Sequence, residues 1–163
     1  MSPTEPEPSD PLRIFSMLAA GDVDYLVIGG LAGQAHGLTR TTQDVDLIPA
    51  PGLENARRLA AVLDDLEARL TGIDAHLLGI ELDAETLAGG ANFRLHTGAG
   101  GLNGFGEVPG AAPYGELAAR AEVLEVRGVA VPVVSREDLL AMKRASARPQ
   151  DLADVAELTE PAP

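Results

Sequence analysis

The stretch that decides the fold is residues 25–48, YLVIGGLAGQAHGLTRTTQDVDLI. It begins with four apolar residues that end in Gly29-Gly30, a pattern that predicts a buried strand running into a tight turn. Residues 31–36 predict a short helix, because a glycine follows at the position where helices end. Residues 44–48 predict a second strand, stopped by the prolines that follow. The stretch therefore predicts a strand–helix–strand unit.

Two aspartates share the second predicted strand. Residues two apart on a strand point to the same face, so the carboxylates of Asp44 and Asp46 project together while Val45 and Leu47 point into the core. Paired carboxylates are hard oxygen ligands that suit Mg²⁺ rather than zinc or copper. By itself, an Asp-x-Asp pair on a strand is more often a solvated surface, so the surrounding residues decide its meaning.

The residues around the aspartates are those that a phosphate site uses. Gly29 and Gly30 let the main chain approach phosphate oxygens without a Cβ clash, and the backbone N–H groups after a strand suit phosphate. Arg40 and Thr42 lie just before the aspartates, where they can hold phosphate or shape the loop. The alternative is that the two glycines form an ordinary strand-to-helix turn.

The rest of the chain predicts a mixed α/β (α+β) fold, with one β-sheet flanked by helices in a single domain of residues 11–158. Residues 1–10 and 159–163 are expected to be disordered tails. Ser135 is a candidate helix cap, and residues 71–90 predict no element. The predicted helices are 11–20, 53–70, 114–121, 137–145 and 150–158, and the further strands are 92–97, 102–108, 123–126 and 129–134.

Composition excludes several classes of protein. The net charge is -13, with 12 basic and 25 acidic residues, so extensive duplex nucleic-acid binding is not expected. A compact phosphate ligand remains compatible, because Mg²⁺ brings positive charge with it. The absence of cysteine excludes disulfides and thiolate zinc sites. No apolar run approaches the ~20 residues of a membrane span, and the cytoplasm is the expected location.

These motifs together resemble the minimal nucleotidyltransferases of the DNA polymerase β superfamily, especially the toxin–antitoxin and abortive-infection branch. Residues 137–143, EDLLAMK, are similar to the start of that family's closing helices. The motifs that carry the resemblance follow in the family's order: Gly29-Gly30, His36-Gly37, Arg40-x-Thr42-x-Asp44-x-Asp46 and Arg148-x-x-Asp151-x-x-Asp154.

The resemblance implies that a hydroxyl attacks the α-phosphate of a nucleoside triphosphate and that pyrophosphate leaves, with two Mg²⁺ ions at the site. Asp44 and Asp46 would hold the metal ions, and Lys143 would reach a phosphate as a point charge. Arg148 and Asp151 are expected to form a local ion pair instead. The implied nucleotide-binding residues are Gly29, Gly30, Arg40 and Thr42, and His36 is expected to end a helix rather than act as a base.

The sequence departs from the family at the third carboxylate, where this chain has Asn103. Asparagine offers an oxygen acceptor but no charge, and it cannot serve as a general base. Glu107 has the same strand parity but lies ~13 Å further along an extended chain, too far to substitute. The second metal ion is therefore expected to bind weakly.

Three functions follow as hypotheses. The first is an Mg²⁺-dependent nucleotidyltransferase that modifies an RNA, protein or small-molecule acceptor in a toxin–antitoxin system. The second is a degenerate module that binds nucleotide, ATP included, or neutralises a cognate toxin or antitoxin. The third is a plain structural domain. An RNA acceptor would need a local basic patch. Two small clusters are candidates: Arg57, Arg58 and Arg69 on the long helix, which are better explained as a solvated face, and Lys143, Arg144 and Arg148 near the end, which could guide one phosphate end of an acceptor.

Overall fold

A computed structural model describes residues 9–71 and 80–161. Within these residues the chain forms a mixed β-sheet flanked by helices, as the sequence predicts. The helices are α1 (Pro11–Ala20), α2 (Gly29–Ala35), α3 (Leu53–Asp65), α4 (Ala84–Ala88), α5 (Tyr114–Arg120), α6 (Arg136–Ser146) and α7 (Pro149–Thr159). The strands are β1 (Tyr25–Ile28), β2 (Val45–Pro49), β3 (Arg69–Leu70), β4 (Phe93–Thr97), β5 (Gly100–Gly104), β6 (Glu122–Val126) and β7 (Val129–Val133).

The strands form one sheet in the order β3-β4-β5-β2-β1-β7-β6. β2 pairs antiparallel with β1 and parallel with β5, while β1 pairs parallel with β7. The hairpins β4–β5 and β6–β7 are antiparallel, and the edge strand β3 pairs antiparallel with β4. The predicted strand–helix–strand unit therefore occupies the middle of the sheet, where both neighbours hold its strands in register.

The two faces of the sheet differ in character around β2. Val45 and Leu47 are fully buried, at 0% and 1% exposure, on the face that α3 covers. The other face carries Asp46, in register with Asn103 of β5. β4 follows the same alternation, since Phe93, Leu95 and Thr97 are buried while the two residues between them are exposed. Alternation of this kind is typical of a sheet with one face in the core and one face open.

Several predicted boundaries were wrong. The helix predicted over residues 53–70 ends at Asp65, because Glu67 adopts a left-handed backbone (φ 54°) and the chain then enters β3. Leu66 is still buried, so the helical spacing of apolar residues continues past Asp65 and the sequence does not reveal where the helix ends. The tight turn predicted at Gly29-Gly30 does not exist as a separate element, since α2 begins at Gly29 itself.

The strand predicted over residues 102–108 is β5, which begins at Gly100 and already ends at Gly104. The strand predicted over residues 44–48 is β2, which begins at Val45 and ends at Pro49, so Asp44 lies just before the strand. The remaining predicted elements are present with changes of one or two residues at their ends.

Ser135 caps α6, with its hydroxyl accepting a hydrogen bond from the Asp138 N–H at 3.1 Å. Asp10, placed in the predicted tail, caps α1 through the Arg13 N–H. Of the unassigned residues 71–90, α4 covers five, and residues 72–79 lie outside the described residues. None of the helices described is long and apolar enough to cross a membrane.

Candidate functional site

The centre of the candidate site is the contact between Asp46 and Asn103. β2 and β5 run in parallel, and their register places these two residues side by side on the open face of the sheet. The Asn103 Nδ2 donates a hydrogen bond to Asp46 Oδ1 at 2.8 Å. Asn103 therefore stands where the resemblance implies a third carboxylate, and it neutralises no charge while it orients the Asp46 side chain.

Each of the two aspartate side chains packs against the backbone of a glycine. A methyl group added at Gly29 would collide with the Asp46 carboxylate, and one added at Gly101 would collide with the Asp44 carboxylate. Gly29 also has a φ of 68°, a conformation that other residues adopt only with strain. The carboxylates thus lie against bare backbone. The sequence pattern had suggested that Gly29 makes room for a ligand, whereas in the structure its first effect is to make room for Asp46.

Gly30 and Thr42 contact each other in the same region. A Cβ atom at Gly30 would lie 2.8 Å from the Thr42 Cβ, closer than packed carbon atoms allow. Thr42 therefore packs on the first turn of α2, and the loop that leads into β2 is held against that helix. The structure brings Gly29, Gly30 and Thr42 to the Asp46 side of the sheet, and nucleotide binding by them stays a prediction.

The environment of Asp46 disfavours its charge. Burial raises the pKa of Asp46 above its ordinary value, and the nearby Asp44 carboxylate adds to this rise. The hydrogen bond from Asn103 and the positive charges of Arg148 and Arg94 oppose it. A carboxylate that is poorly compensated by its own protein gains when a cation arrives.

Arg40 is held by a different carboxylate. Its Nε and Nη2 atoms donate to the two oxygens of Asp154, both at 2.8 Å, and about a third of the side chain stays exposed. Lys143 donates to the same Asp154 at 2.8 Å and lies 3.8 Å from Asp151. We call Arg40, Lys143, Gln150, Asp151 and Asp154 the closing-helix cluster.

Lys143 therefore has a structural role that the sequence analysis did not predict. It is only 4% exposed, and its ammonium is enclosed by carboxylates of α7. This contact joins α6 to α7 and, through Asp154, to Arg40 in the loop before β2. A direct contact between Lys143 and phosphate stays a prediction, whereas its contact with Asp154 is a feature of the fold.

Two further expectations agree with the geometry. Arg148 and Asp151 form the expected ion pair, with the Arg148 Nε donating at 2.7 Å. His36 is the C-terminal cap residue of α2. One of its ring nitrogens lies 2.8 Å from the Val134 carbonyl oxygen. Its ring is thus engaged with the main chain at the end of a helix, as expected.

Arg94 is a site residue that the sequence analysis missed. It is exposed on β4, in register with Asn103 of β5, so it follows Asp46 and Asn103 across the sheet. Its positive charge opposes the rise in the pKa of Asp46 that burial causes. The signal that would have found it is the pairing of β4 with β5, which places every second residue of 92–97 on the face of the aspartates.

The donor set fits a divalent cation. Asp44 and Asp46 supply carboxylate oxygens and Asn103 can supply an amide oxygen, all of them the hard ligands that Mg²⁺ takes. Among residues 9–71 and 80–161, no group of three or more His, Cys, Asp or Glu side chains is placed to hold a metal ion.

A large cavity lies elsewhere. It measures about 830 Å³ and is lined mainly by apolar side chains of the opposite sheet face and of α3. None of the candidate site residues lines it. The chemistry-bearing side chains are instead on the open face.

The fold is that of nucleotidyltransferases. The chain is similar to the antibiotic-resistance factor ANT(2'')-Ia, with a TM-score of 0.58, 18% identity, and coverage of 91% of this chain and 80% of that one. It is also similar to the lincosamide antibiotic adenylyltransferase LnuA in its lincomycin-bound structure, with a TM-score of 0.62, 14% identity, and 92% and 94% of the two chains covered.

A third similar structure is an antigenic nucleotidyltransferase-like protein from Paracoccidioides brasiliensis, with a TM-score of 0.53, 18% identity, and 90% and 72% coverage. No protein-family model matches the sequence. No curated protein matches it either. At these identities the likeness establishes the nucleotidyltransferase fold, and activity has to be argued from the site.

Proposed function

We propose that the chain is a nucleotidyltransferase that moves a nucleoside monophosphate group from a nucleoside triphosphate to an acceptor hydroxyl. The observation that carries the proposal is the open-face site itself: two carboxylates, at the start of the central strand β2 and just before it, that pack against glycine backbone in a nucleotidyltransferase fold. Similarity to an adenylyltransferase supports ATP as the donor.

The positions of the site residues suggest separate roles for the carboxylates and the arginines. Asp44 and Asp46 would hold a Mg²⁺ ion, which would neutralise charge on the triphosphate and on the departing pyrophosphate. Arg40 and Arg148 are cations whose charges act on the Asp46 region, so they are placed to attract phosphate oxygens. Their partners Asp154 and Asp151 fix where those guanidiniums lie.

In the reaction, the acceptor oxygen bonds to the α-phosphorus while the bond from that phosphorus to the bridging oxygen of pyrophosphate breaks. The hydroxyl proton goes to solvent, because Asn103 cannot accept it. Asn103 instead orients the Asp46 carboxylate through its 2.8 Å hydrogen bond. We therefore expect slow nucleotidyl transfer, to which the protein contributes mainly by binding and orienting the reactants.

The test compares the protein with its Asn103→Asp variant. Each is incubated with Mg²⁺, α-labelled triphosphates and a cell extract, and labelled acceptors are separated by size and class. Asp44→Ala is the inactive control. Label from the natural chain that is lost in Asp44→Ala supports the proposal, and the labelled species identifies the acceptor as RNA, protein or small molecule. Failure of both active forms to move label would overturn it.

A second candidate function is nucleotide binding with negligible turnover. The specific observation in its favour is that Asn103 occupies the third-carboxylate position and already donates to Asp46. It predicts thermal stabilisation by Mg²⁺ with a triphosphate, and labelled product only from Asn103→Asp. Label from the natural chain would remove this candidate.

The resemblance to the toxin–antitoxin branch extends either function to a cognate protein partner. Co-expression of the chain with the product of the adjacent gene, followed by purification through a tag on one of them, tests this extension. A stable complex supports it, and separation of the two proteins at micromolar concentration would oppose it.

A further inference from the structure

The large cavity on the core face of the sheet has walls of buried apolar side chains and a rim of exposed loop residues. Leu47 of β2 and Leu102 of β5 form part of one wall, and Leu59 of α3 forms part of another. Each of these three leucines is 5% exposed or less. Asn92 and Glu107 also line the cavity but are exposed, so they mark the side where it meets solvent.

The loops around the cavity leave its space unfilled and hold it in shape. Half of its 28 lining residues are Gly, Ala or Pro, most of them in the segments 49–52, 88–91 and 104–113. The Asn92 Oδ1 accepts hydrogen bonds from the N–H groups of Gly106 and Glu107, at 2.9 and 3.2 Å. A Cβ atom at Gly106 would collide with the Gly90 carbonyl. Because the two loops fasten each other, the cavity is formed before any ligand arrives.

The size and the lining of the cavity suit an apolar small molecule. Its volume of about 830 Å³ lies within the range of roughly 300–1,000 Å³ that small-molecule sites occupy. Apolar walls offer water few hydrogen-bond partners, so an apolar ligand displaces water favourably. Three of the five aromatic residues of the chain, Phe93, Phe105 and Tyr114, line the cavity. Aromatic rings pack on alkyl groups and attract ammonium cations.

The charges at the cavity favour a cation over an anion. Among the described residues that line it, Glu107 is the one that carries a charge. Glu107 forms no ion pair within the described part of the chain. Burial and, to a smaller extent, the nearby Asp24 carboxylate raise the pKa of the Tyr114 phenol to about 12. The rim therefore has carboxylates near it and a phenol that stays neutral, which disfavours a ligand with an anionic group.

We propose that the large cavity binds an apolar small molecule that carries one amine, with its apolar body against the leucines and its ammonium at Glu107. The ligand is not the acceptor of nucleotidyl transfer, because the sheet separates the cavity from the open face that carries Asp46 and Asn103. A bound ligand would contact the same two strands, β2 and β5, from their core side. The proposal holds whether or not the protein turns over a nucleotide.

The first test uses three probes with the same alkyl chain and different head groups. Isothermal titration calorimetry measures decylamine, decanol and decanoate binding to the full chain. A carboxylate at the rim should favour the amine over the alcohol by about threefold. Decanoate should bind about tenfold more weakly than decylamine, because like charges repel. Octylamine should also bind on the order of tenfold more weakly than decylamine, since each buried methylene contributes about fourfold.

A second test fills the cavity. Ala56 is buried on α3 and lines the cavity, so Ala56→Phe should weaken decylamine binding by about tenfold or more. Ala61 is exposed on the same helix and does not line the cavity, so Ala61→Phe is the matched control and should bind like the natural chain. Thermal unfolding checks that each variant folds. Ala112→Leu, in the half-buried lining loop, is a second filling variant that leaves α3 intact.

A third test removes the charge at the rim. Glu107→Gln should abolish most of the preference for decylamine over decanol. Glu85→Gln should keep it, because Glu85 is an exposed carboxylate of α4 that does not line the cavity. This pair of variants separates the local charge from the net charge of -13.

Three outcomes would overturn the proposal. The first is no binding of decylamine below the concentration at which it forms micelles. The second is unchanged decylamine affinity in folded Ala56→Phe and Ala112→Leu, which would place the bound molecule elsewhere. The third is equal affinity for the three head groups, which would remove the ammonium from Glu107. None of these measurements needs Mg²⁺ or a nucleotide, so failure of the proposed function would leave their results unchanged.

Discussion

Two groups of aspartates lie near each other in this protein and have opposite environments. Asp154 of the closing-helix cluster is 1% exposed and accepts hydrogen bonds from Arg40, Lys143 and Gln150. Asp46 is half-buried, and its side-chain hydrogen-bond partner is the neutral amide of Asn103. Cationic side chains of the protein thus pair directly with Asp154, whereas no cationic side chain hydrogen-bonds to Asp46 among the described residues.

The pKa shifts follow this difference. Burial alone would raise the pKa of Asp154, yet the hydrogen bonds from Arg40, Lys143 and Gln150 outweigh burial and hold that pKa far below its ordinary value. For Asp46 burial dominates, and the pKa is raised. The chain therefore compensates the charge of Asp154 with its own cations and leaves that of Asp46 largely uncompensated, an environment that would favour a cation bound at Asp46.

The variant Asp46→Asn gives the strongest test of the difference between the two aspartates. If Mg²⁺ at the two aspartates supplies several kcal/mol to the reaction, nucleotidyl transfer should fall on the order of 10³-fold. The free energy of unfolding should stay unchanged or rise slightly, because the variant removes a charge that burial disfavours. Initial rates of label transfer and urea unfolding measure the two quantities. A clear loss of stability would show that Asp46 is part of the structural network instead.

Asp154→Ala should do the opposite. Removing Asp154 leaves the buried Lys143 ammonium with Asp151, at 3.8 Å, as its remaining carboxylate partner, which costs up to about 3–5 kcal/mol of unfolding free energy. The measurement is the urea midpoint and slope, with Asp64→Ala on the exposed side of α3 as a control expected within about 0.5 kcal/mol. Adding Lys143→Met to Asp154→Ala should recover part of the loss. No recovery would mean that the cluster is not held by charge pairing.

The closing-helix cluster also marks the limit of what the sequence could predict about the site. The spacing of residues 143–154 identified the cations and carboxylates of the last two helices and the local pair of Arg148 with Asp151. It did not show that Arg40, more than a hundred residues earlier, completes the cluster. Periodicity places residues on a face of their own helix, while contacts between distant segments depend on how the helices dock.

The sheet teaches the same lesson. The central strands and the Asp44–Asp46 pair were predictable, because apolar runs, glycines and prolines are local signals. The equivalence of Asn103 with the third carboxylate came from the resemblance, and the β2–β5 register agrees with it. Arg94 stayed hidden, since finding it needs the β4–β5 register. Arg69 was wrongly grouped with Arg57 and Arg58 on one helix, because the apolar period of α3 continues beyond its true end, whereas Arg69 lies in β3.

A smaller effect is expected in acid. The pKa of Asp154 is lowered in the folded protein, so its contribution to stability is present above the unfolded value of about 3.9 and is lost as pH falls below it, by at most ~1.4 kcal/mol per pH unit. Asp154→Asn should flatten the fall of unfolding free energy between pH 4 and pH 2.5. Parallel curves for the two proteins would assign the acid sensitivity to other carboxylates, such as Asp138, whose pKa is also lowered.

The smallest expected effect comes from a substitution that would move the Asp44 carboxylate without changing its chemistry. Gly101→Ala places a methyl group against the Asp44 carboxylate, whereas Gly104→Ala on the same strand meets nothing closer than Phe93 at 3.9 Å. Neither glycine has a positive φ, so both variants should change unfolding free energy by about 1 kcal/mol or less. Because a shift of about 1 Å can cost up to 10²-fold in rate, we expect transfer to fall about tenfold in Gly101→Ala and to hold in Gly104→Ala. Equal rates in the two variants would mean that Asp44 can move without cost, and that Asp46 alone sets the geometry of the site.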